Sequence, residues 1–108
     1  MIAVDTSVWV AALRHDRAEA KILRSLLDDD EVLLPVPVKI ELLSGTSRRQ
    51  RAALRSALSA LPVAYPTDET WRLMDAWTDR AAPAGVAFGV GDLLIAAIAH
   101  EAGALVWS

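Results

Sequence analysis

Short runs of apolar residues alternate along the chain with longer stretches in which apolar residues recur at helical spacing. A short apolar run bounded by proline, glycine or charged residues is typical of a buried strand. Such runs predict four strands, at residues 1–4, 31–34, 63–65 and 104–107. Helical spacing predicts six helices, at residues 7–13, 17–28, 37–44, 47–61, 67–81 and 92–102. Because strands and helices alternate, we expect an α/β protein with a parallel sheet covered on both faces.

Residues with special backbone preferences mark the ends of several predicted elements. Ser7 is the expected N-cap of the first helix, and Asp16 is the expected N-cap of the second. Pro35 should end the second strand, and Gly45 should end the helix that follows it. Residues 82–91 are rich in glycine, alanine and proline and are predicted to form a loop.

Composition narrows the class of protein. Hydrophobic residues make up 54% of the 108 residues, more than a disordered chain contains, and the length suits one domain. The absence of cysteine excludes disulfides, thiolate catalysis and thiolate metal sites. No apolar run approaches the roughly 18 residues that span a bilayer, and no basic segment precedes an apolar one at the N-terminus. The chain is therefore predicted to be cytoplasmic and to make no membrane contact.

Three acidic residues occupy positions that favour a shared site. Asp5 follows the first strand, Glu41 lies in the helix after the second strand, and Asp92 begins the last long helix. Taken singly, Asp5 and Asp92 would be helix caps and Glu41 a solvated helical residue. If the first and last strands are neighbours, however, Asp5 and Asp92 should lie at one end of the sheet, where open α/β folds build their sites. Glu41, in the helix that follows the second strand, should lie near the same end.

Three clustered carboxylates need a nearby positive charge to offset their mutual repulsion. Carboxylates about 5 Å apart repel by about 3 kcal/mol per pair at an effective dielectric constant of about 20. Oxygen ligands without cysteine favour Mg²⁺ or Mn²⁺ as the compensating cation. With the three acids set aside, the remaining Asp and Glu equal the 11 Lys and Arg in number. The net charge of −3 therefore does not exclude a phosphate-bearing substrate.

Three segments resemble the leading motifs of a known family. Val4–Ser7, Ile40–Gly45 and Gly91–Ala97 are similar, in this order, to those of PIN-domain ribonucleases, and most similar to VapC-type toxins of toxin–antitoxin pairs. The resemblance implies a three-layer α/β/α sandwich with a parallel central sheet. It also implies an endoribonuclease that depends on Mg²⁺ or Mn²⁺, binds a cognate antitoxin and forms a homodimer.

The same resemblance assigns roles to individual residues. Asp5, Glu41 and Asp92 would be catalytic residues and metal ligands, and Thr6 or Ser7 would support them by hydrogen bonds. The groove that receives the antitoxin lies among the early helices. Its lining in this chain would come from Val8, Trp9 and Leu13.

The C-terminus departs from the family pattern. A further acidic motif normally follows the strand that corresponds to residues 104–107, whereas this chain stops at Ser108. We therefore expect a single PIN-like domain over residues 1–108, shortened so that the last strand and helix are missing. On that expectation, Leu105 and Trp107 would be exposed on a new sheet edge and favour self-association. The alternative function is a catalytically impaired module that binds antitoxin or RNA without cleaving it.

The remaining candidates have simpler interpretations. Arg48, Arg49, Arg51 and Arg55 form the only basic cluster, either a solvated helix face or a contact with the RNA backbone. His15 and His100 are interpreted as structural or surface residues, and the tryptophans other than Trp9 as core. A phosphotransfer enzyme with Asp5 as nucleophile is disfavoured, because Ser7 stands where such an enzyme usually has a second acid.

Overall fold

Strands and helices alternate along the chain as predicted. The computed structural model of the protein describes residues 1–14, 17–81 and 88–108. In these ranges the strands are β1 (Ile2–Val4), β2 (Val32–Pro35), β3 (Val63–Ala64) and β4 (Leu105–Trp107). The helices are α1 (Thr6–Leu13), α2 (Arg17–Asp28), α3 (Val36–Ser44), α4 (Arg48–Leu58), α5 (Asp68–Ala81) and α6 (Val90–Glu101). None of these helices combines the length and apolar character needed to cross a bilayer.

The strands form one parallel sheet in the order β3-β2-β1-β4. The first and last strands of the chain are neighbours, with Val4 opposite Trp107 in the register. On the other side of β1, Ala3 lies opposite Leu33 of β2. The prediction of an α/β/α sandwich around a parallel sheet is confirmed.

The core lies where β1 and β2 meet the helices. Every residue of β2 is buried, and since successive strand residues point to opposite faces, both faces of the sheet are covered there. Residues from β1, β2, α3 and α6 form a common buried cluster, whose members include Val4, Leu34, Val38, Leu42 and Ile95. This packing holds the carboxyl ends of β1 and β2 in place.

Two helix starts differ from the prediction. Asp5, rather than Ser7, occupies the N-cap position of α1, although its side chain makes no capping hydrogen bond. The last long helix begins at Val90, so Asp92 lies inside its first turn instead of at its start. Gly45 is the C-cap of α3, as predicted. The predicted N-cap at Asp16, the interpretation of His15 and most of the predicted loop, residues 82–87, lie outside the described residues.

The expectation about the β4 edge is only half right. Leu105 is 74% exposed, as expected. Trp107, however, is only partly accessible and packs against the core cluster. Its large ring reaches the core beside Val4, the residue with which it pairs. Self-association through this edge stays a prediction.

Candidate active site

Asp5 is held at the carboxyl end of β1 by contacts on both sides of its backbone. Its N–H donates to the carbonyl of Trp107 at 2.9 Å, which continues the β1–β4 ladder. Its carbonyl accepts from the N–H groups of Val8 and Trp9 at 3.1 and 3.2 Å, which begins α1. The residue therefore sits where a strand turns into a helix, and its side chain is half-buried.

Asp92 comes from the far end of the chain to the same place. It lies in the first turn of α6, where the helix dipole favours a negative charge. Asp5 and Asp92 line one open cavity of about 560 Å³, together with Ser108. The neighbouring positions of β1 and β4 explain this, because α6 leads into β4 and so brings its residues beside β1. For these two acids, the predicted convergence at one end of the sheet is present.

Glu41 does not join them. It is exposed on α3 and lines a separate cavity, with Leu13, Arg14 and Gln50 among its neighbours. Within the ranges that the structure describes, no group of three acidic or histidine side chains is close enough together to hold a metal ion. The predicted gathering of all three carboxylates is therefore corrected to a pair. Glu41 lies in the second turn of α3, about 7.5 Å along the helix axis from its start at Val36, and its side chain lines the cavity beside Leu13 and Arg14.

The two hydroxyl residues next to Asp5 differ in their contacts. Ser7 Oγ donates to Asp5 Oδ2 at 3.0 Å, which is the supporting hydrogen bond that was predicted. Thr6 Oγ1 is buried and, among the described residues, has no hydrogen-bond partner. Ser7 thus orients the carboxylate of Asp5, whereas support from Thr6 stays a prediction.

The oxygen donors of this cavity suit a hard divalent cation. Mg²⁺ in proteins is commonly held by one or two carboxylates and keeps several waters for a phosphate-bearing substrate to replace. Asp5 and Asp92 provide two carboxylates in an open cavity, and Ser108 contributes a further oxygen to its lining. The residues present therefore fit Mg²⁺ or Mn²⁺ without a third acid.

The four arginines of the basic cluster on α4 do not have the same surroundings. Arg48, Arg49 and Arg55 are exposed, so a contact with RNA stays a prediction for Arg48 and Arg49. Arg51 instead donates from Nε to the carbonyl of Leu43 at 3.1 Å and from Nη2 to that of Thr46 at 3.3 Å. These carbonyls lie at the end of α3, where helices leave acceptors unsatisfied. The structure therefore gives Arg51 a role in holding α3 against α4.

Replacing Arg51 by alanine is expected to lower the free energy of unfolding by about 1 to 3 kcal/mol, because two carbonyls lose a charged donor. Arg49→Ala, on an exposed position of the same helix, should change it by no more than about 0.5 kcal/mol. Urea denaturation followed by circular dichroism measures both. Equal stability of the two variants would show that the bonds of Arg51 contribute nothing.

The residues predicted to line an antitoxin groove are mostly inside the protein. Val8 and Trp9 are 6% and 5% exposed and belong to the core cluster, so their assignment to a surface groove is wrong. The short helix α1 turns these apolar side chains inward, and burial of a large indole is strongly favoured. Leu13, at the end of α1, is 53% exposed and lines the same cavity as Glu41.

Two aromatic residues at the acid-lined cavity were not predicted as site residues. Trp77 on α5 and Phe88, just before α6, both line it. Helical spacing indicated that Trp77 is a core residue, and Phe88 lies within the predicted loop. The one signal for Phe88 in the sequence is that this large aromatic residue stands four positions before Asp92.

The chain is similar to known proteins in sequence and in fold. A model of the PIN domain matches residues 2–108. No curated protein sequence matches significantly. Among solved structures, VapBC2 from Rickettsia felis, bound to a DNA fragment from their promoter, contains a similar chain with 23% identity and a TM-score of 0.78. FitAcB from Neisseria gonorrhoeae contains another, with 20% identity and a TM-score of 0.73.

Both structural alignments cover 98% of this chain and 85% of the other chain. At these identities the two structures establish a common fold. The family match covers all but the first residue, and the resemblance inferred from the three motifs is confirmed. The chain belongs to the PIN domain family.

Proposed function

We propose that this protein is an endoribonuclease that depends on Mg²⁺ or Mn²⁺ and acts as the toxin of a toxin–antitoxin pair. The observation that carries the proposal is the pairing of Asp5 and Asp92, 87 positions apart in the sequence, in one open cavity. PIN domains are in general nucleases, and the two similar structures come from VapBC2 and FitAcB. Each of these findings supports hydrolysis of a phosphodiester at this cavity.

The residues of the cavity have distinct tasks in this proposal. Asp5 and Asp92 hold the cation, and the hydrogen bond from Ser7 keeps Asp5 oriented toward it. When bound, a divalent cation supplies a more acidic water and offsets charge on the phosphodiester. Without it, the two carboxylates repel the phosphate, so cleavage should require the metal.

The first test of the proposed function measures RNA cleavage by the purified protein. Cleavage is expected with Mg²⁺ or Mn²⁺ and should stop on addition of EDTA. A rate that is the same with EDTA would exclude the proposed role of the acid pair. The RNA target is best sought with a mixture of cellular RNA, followed by sequencing of the new ends.

A second candidate function follows from the position of Glu41. With Glu41 in another cavity, the acid pair lacks its predicted third member, which supports a module that binds antitoxin or RNA without cleaving it. Stable binding of an antitoxin by a chain that shows no nuclease activity with either metal would favour this alternative. Antitoxin binding at the groove beside Leu13, homodimer formation and a cytoplasmic location are part of the toxin proposal.

Ser7→Ala is expected to lower metal-dependent cleavage by about 10- to 100-fold, the usual effect of losing a residue that orients a metal ligand. The free energy of unfolding should hardly change, because Ser7 is exposed. Ser25→Ala, an exposed serine on α2, is the matched control and should cleave at the wild-type rate. Single-turnover cleavage of a labelled RNA measures both. An unchanged rate for Ser7→Ala would remove the positioning role.

A further inference from the structure

We propose that the cavity beside Asp5 and Asp92 receives one unpaired base of a single-stranded RNA, with Phe88 as the surface on which that base stacks. The inference rests on the proposed nuclease function and names the form of substrate that the site accepts. It concerns the wall of the cavity that lies next to the acids.

The first argument is the nature of that wall. Apart from Asp5, Asp92 and Ser108, the described residues that line the cavity are apolar, and they include Trp77, Phe88 and Val106. A volume of about 560 Å³ lies within the usual range of about 300 to 1,000 Å³ for sites that bind small ligands. An apolar cavity with a few polar groups at one side suits a flat ring system that carries a polar edge.

The second argument concerns the two aromatic rings. Trp77 is half-buried and packs edge-on against His100, with ring centroids 5.7 Å apart and an interplanar angle of 76°. This contact fixes its ring as part of the wall. Phe88, by contrast, is 58% exposed although it lines the cavity. An exposed ring beside a candidate reaction site is typical of proteins that stack unpaired bases on aromatic side chains.

The third argument is charge. Among the described residues that line the cavity there is no Lys or Arg, whereas two of them carry carboxylates. Apart from the phosphate that the cation would hold at the acid pair, the sugar–phosphate backbone is disfavoured along the apolar wall, because no described side chain there neutralises its charge. A base is neutral and has an apolar face, so it is the part of an RNA that fits. In a duplex the bases are paired and stacked within the helix, so a single strand supplies a free base without the cost of unpairing and unstacking it.

The test compares RNA binding by variants that cannot cleave. In an Asp92→Asn background, Phe88→Leu keeps an apolar side chain but removes the ring. It should weaken binding of a short single-stranded RNA by about 5- to 100-fold, the range for loss of one base–aromatic stack. Trp71→Leu, which removes a ring of similar exposure (49%) that does not line the cavity, should leave binding unchanged. Fluorescence anisotropy of labelled RNA, with Mg²⁺ present, gives the affinities.

An abasic control makes the test specific for the base. A chain of the same length without bases should bind the parent and the Phe88→Leu variant equally. A loss of the same size with the abasic chain, or no loss with the intact RNA, would overturn the inference. Weaker self-association of Phe88→Leu with unchanged RNA binding would also overturn it and assign the surface to a second copy.

The outcome separates this inference from the proposed function. If wild-type protein cleaves RNA but Phe88→Leu binds RNA normally, the proposed nuclease function is retained and the base-stacking role of Phe88 is rejected. If the parent variant binds neither intact nor abasic RNA and the wild type cleaves no RNA, both the proposed function and the base-stacking role of Phe88 are rejected.

Discussion

Asp92→Asn is expected to lower metal-dependent RNA cleavage by at least about 100-fold, because a neutral amide is a poor ligand for Mg²⁺ and removes half of the charge of the acid pair. The fold should persist, since Asp92 is exposed and near-isosteric with asparagine. The free energy of unfolding should fall by about 0.3 to 1 kcal/mol, the value of an acid in the first turn of a helix. Cleavage rates at saturating Mg²⁺ and thermal unfolding measure the two effects.

Asp5→Asn should cause a loss of the same order. If both acids hold one cation, the double variant should be scarcely slower than either single one, because residues that act as a unit are not additive. Asp75→Asn, an exposed acid on α5 that does not line the cavity, is the control and should keep the wild-type rate. Wild-type cleavage by both Asp5→Asn and Asp92→Asn would place the reaction elsewhere in the protein.

Glu41→Gln belongs in the same series, because the structure and the family pattern disagree on its position. A loss as large as that of Asp92→Asn would mean that Glu41 approaches the acid pair when metal and RNA bind. A rate near that of wild type would fit its place in the cavity beside Leu13. Either result decides whether the site has two or three acidic members.

Leu34→Ala is expected to destabilise the protein by about 2 to 5 kcal/mol, which is the cost of truncating a fully buried leucine. Leu34 is fully buried on β2, and it belongs to the cluster that joins β1, β2, α3 and α6. The lost side-chain atoms would leave a cavity in the core next to β1, whose carboxyl end carries Asp5. Cleavage should therefore fall with stability as the temperature rises.

The matched control for this change is Leu105→Ala on β4. Leu105 is 74% exposed, so the same substitution in another strand of the same sheet should alter the free energy of unfolding by less than about 0.5 kcal/mol. Urea titrations of the two variants give the comparison directly. Similar losses in both would show that burial in the β2 core is not what stabilises the sheet.

The sequence determined the order of elements and the class of fold, because periodicity records which side of each element is buried. The apolar run at residues 1–4 and the helical spacing after it led to β1 and α1 with nearly correct ends. The meeting of Asp5 and Asp92 was also predictable, on the single condition that the first and last strands are neighbours. The β1–β4 pairing fulfils that condition.

Only the tertiary structure decided which side chains share a space. Periodicity marks Trp9 as apolar, but whether an apolar residue faces the core or an external groove depends on how α1 is rotated against its neighbours. Arg51 and Arg49 look alike in the sequence, yet only Arg51 reaches the carbonyls at the end of α3.

Glu41 and Phe88 illustrate the same limit. The motif around Glu41 predicts a ligand, but its distance from Asp5 depends on where α3 begins and how it lies on the sheet. The sequence around Phe88 does not show that this residue lines a cavity. The other walls of the cavity come from residues remote in the chain, such as Asp5 and Val106. Local patterns specify each element, whereas the relative placement of elements comes from packing many weak contacts at once, and no short segment carries that information.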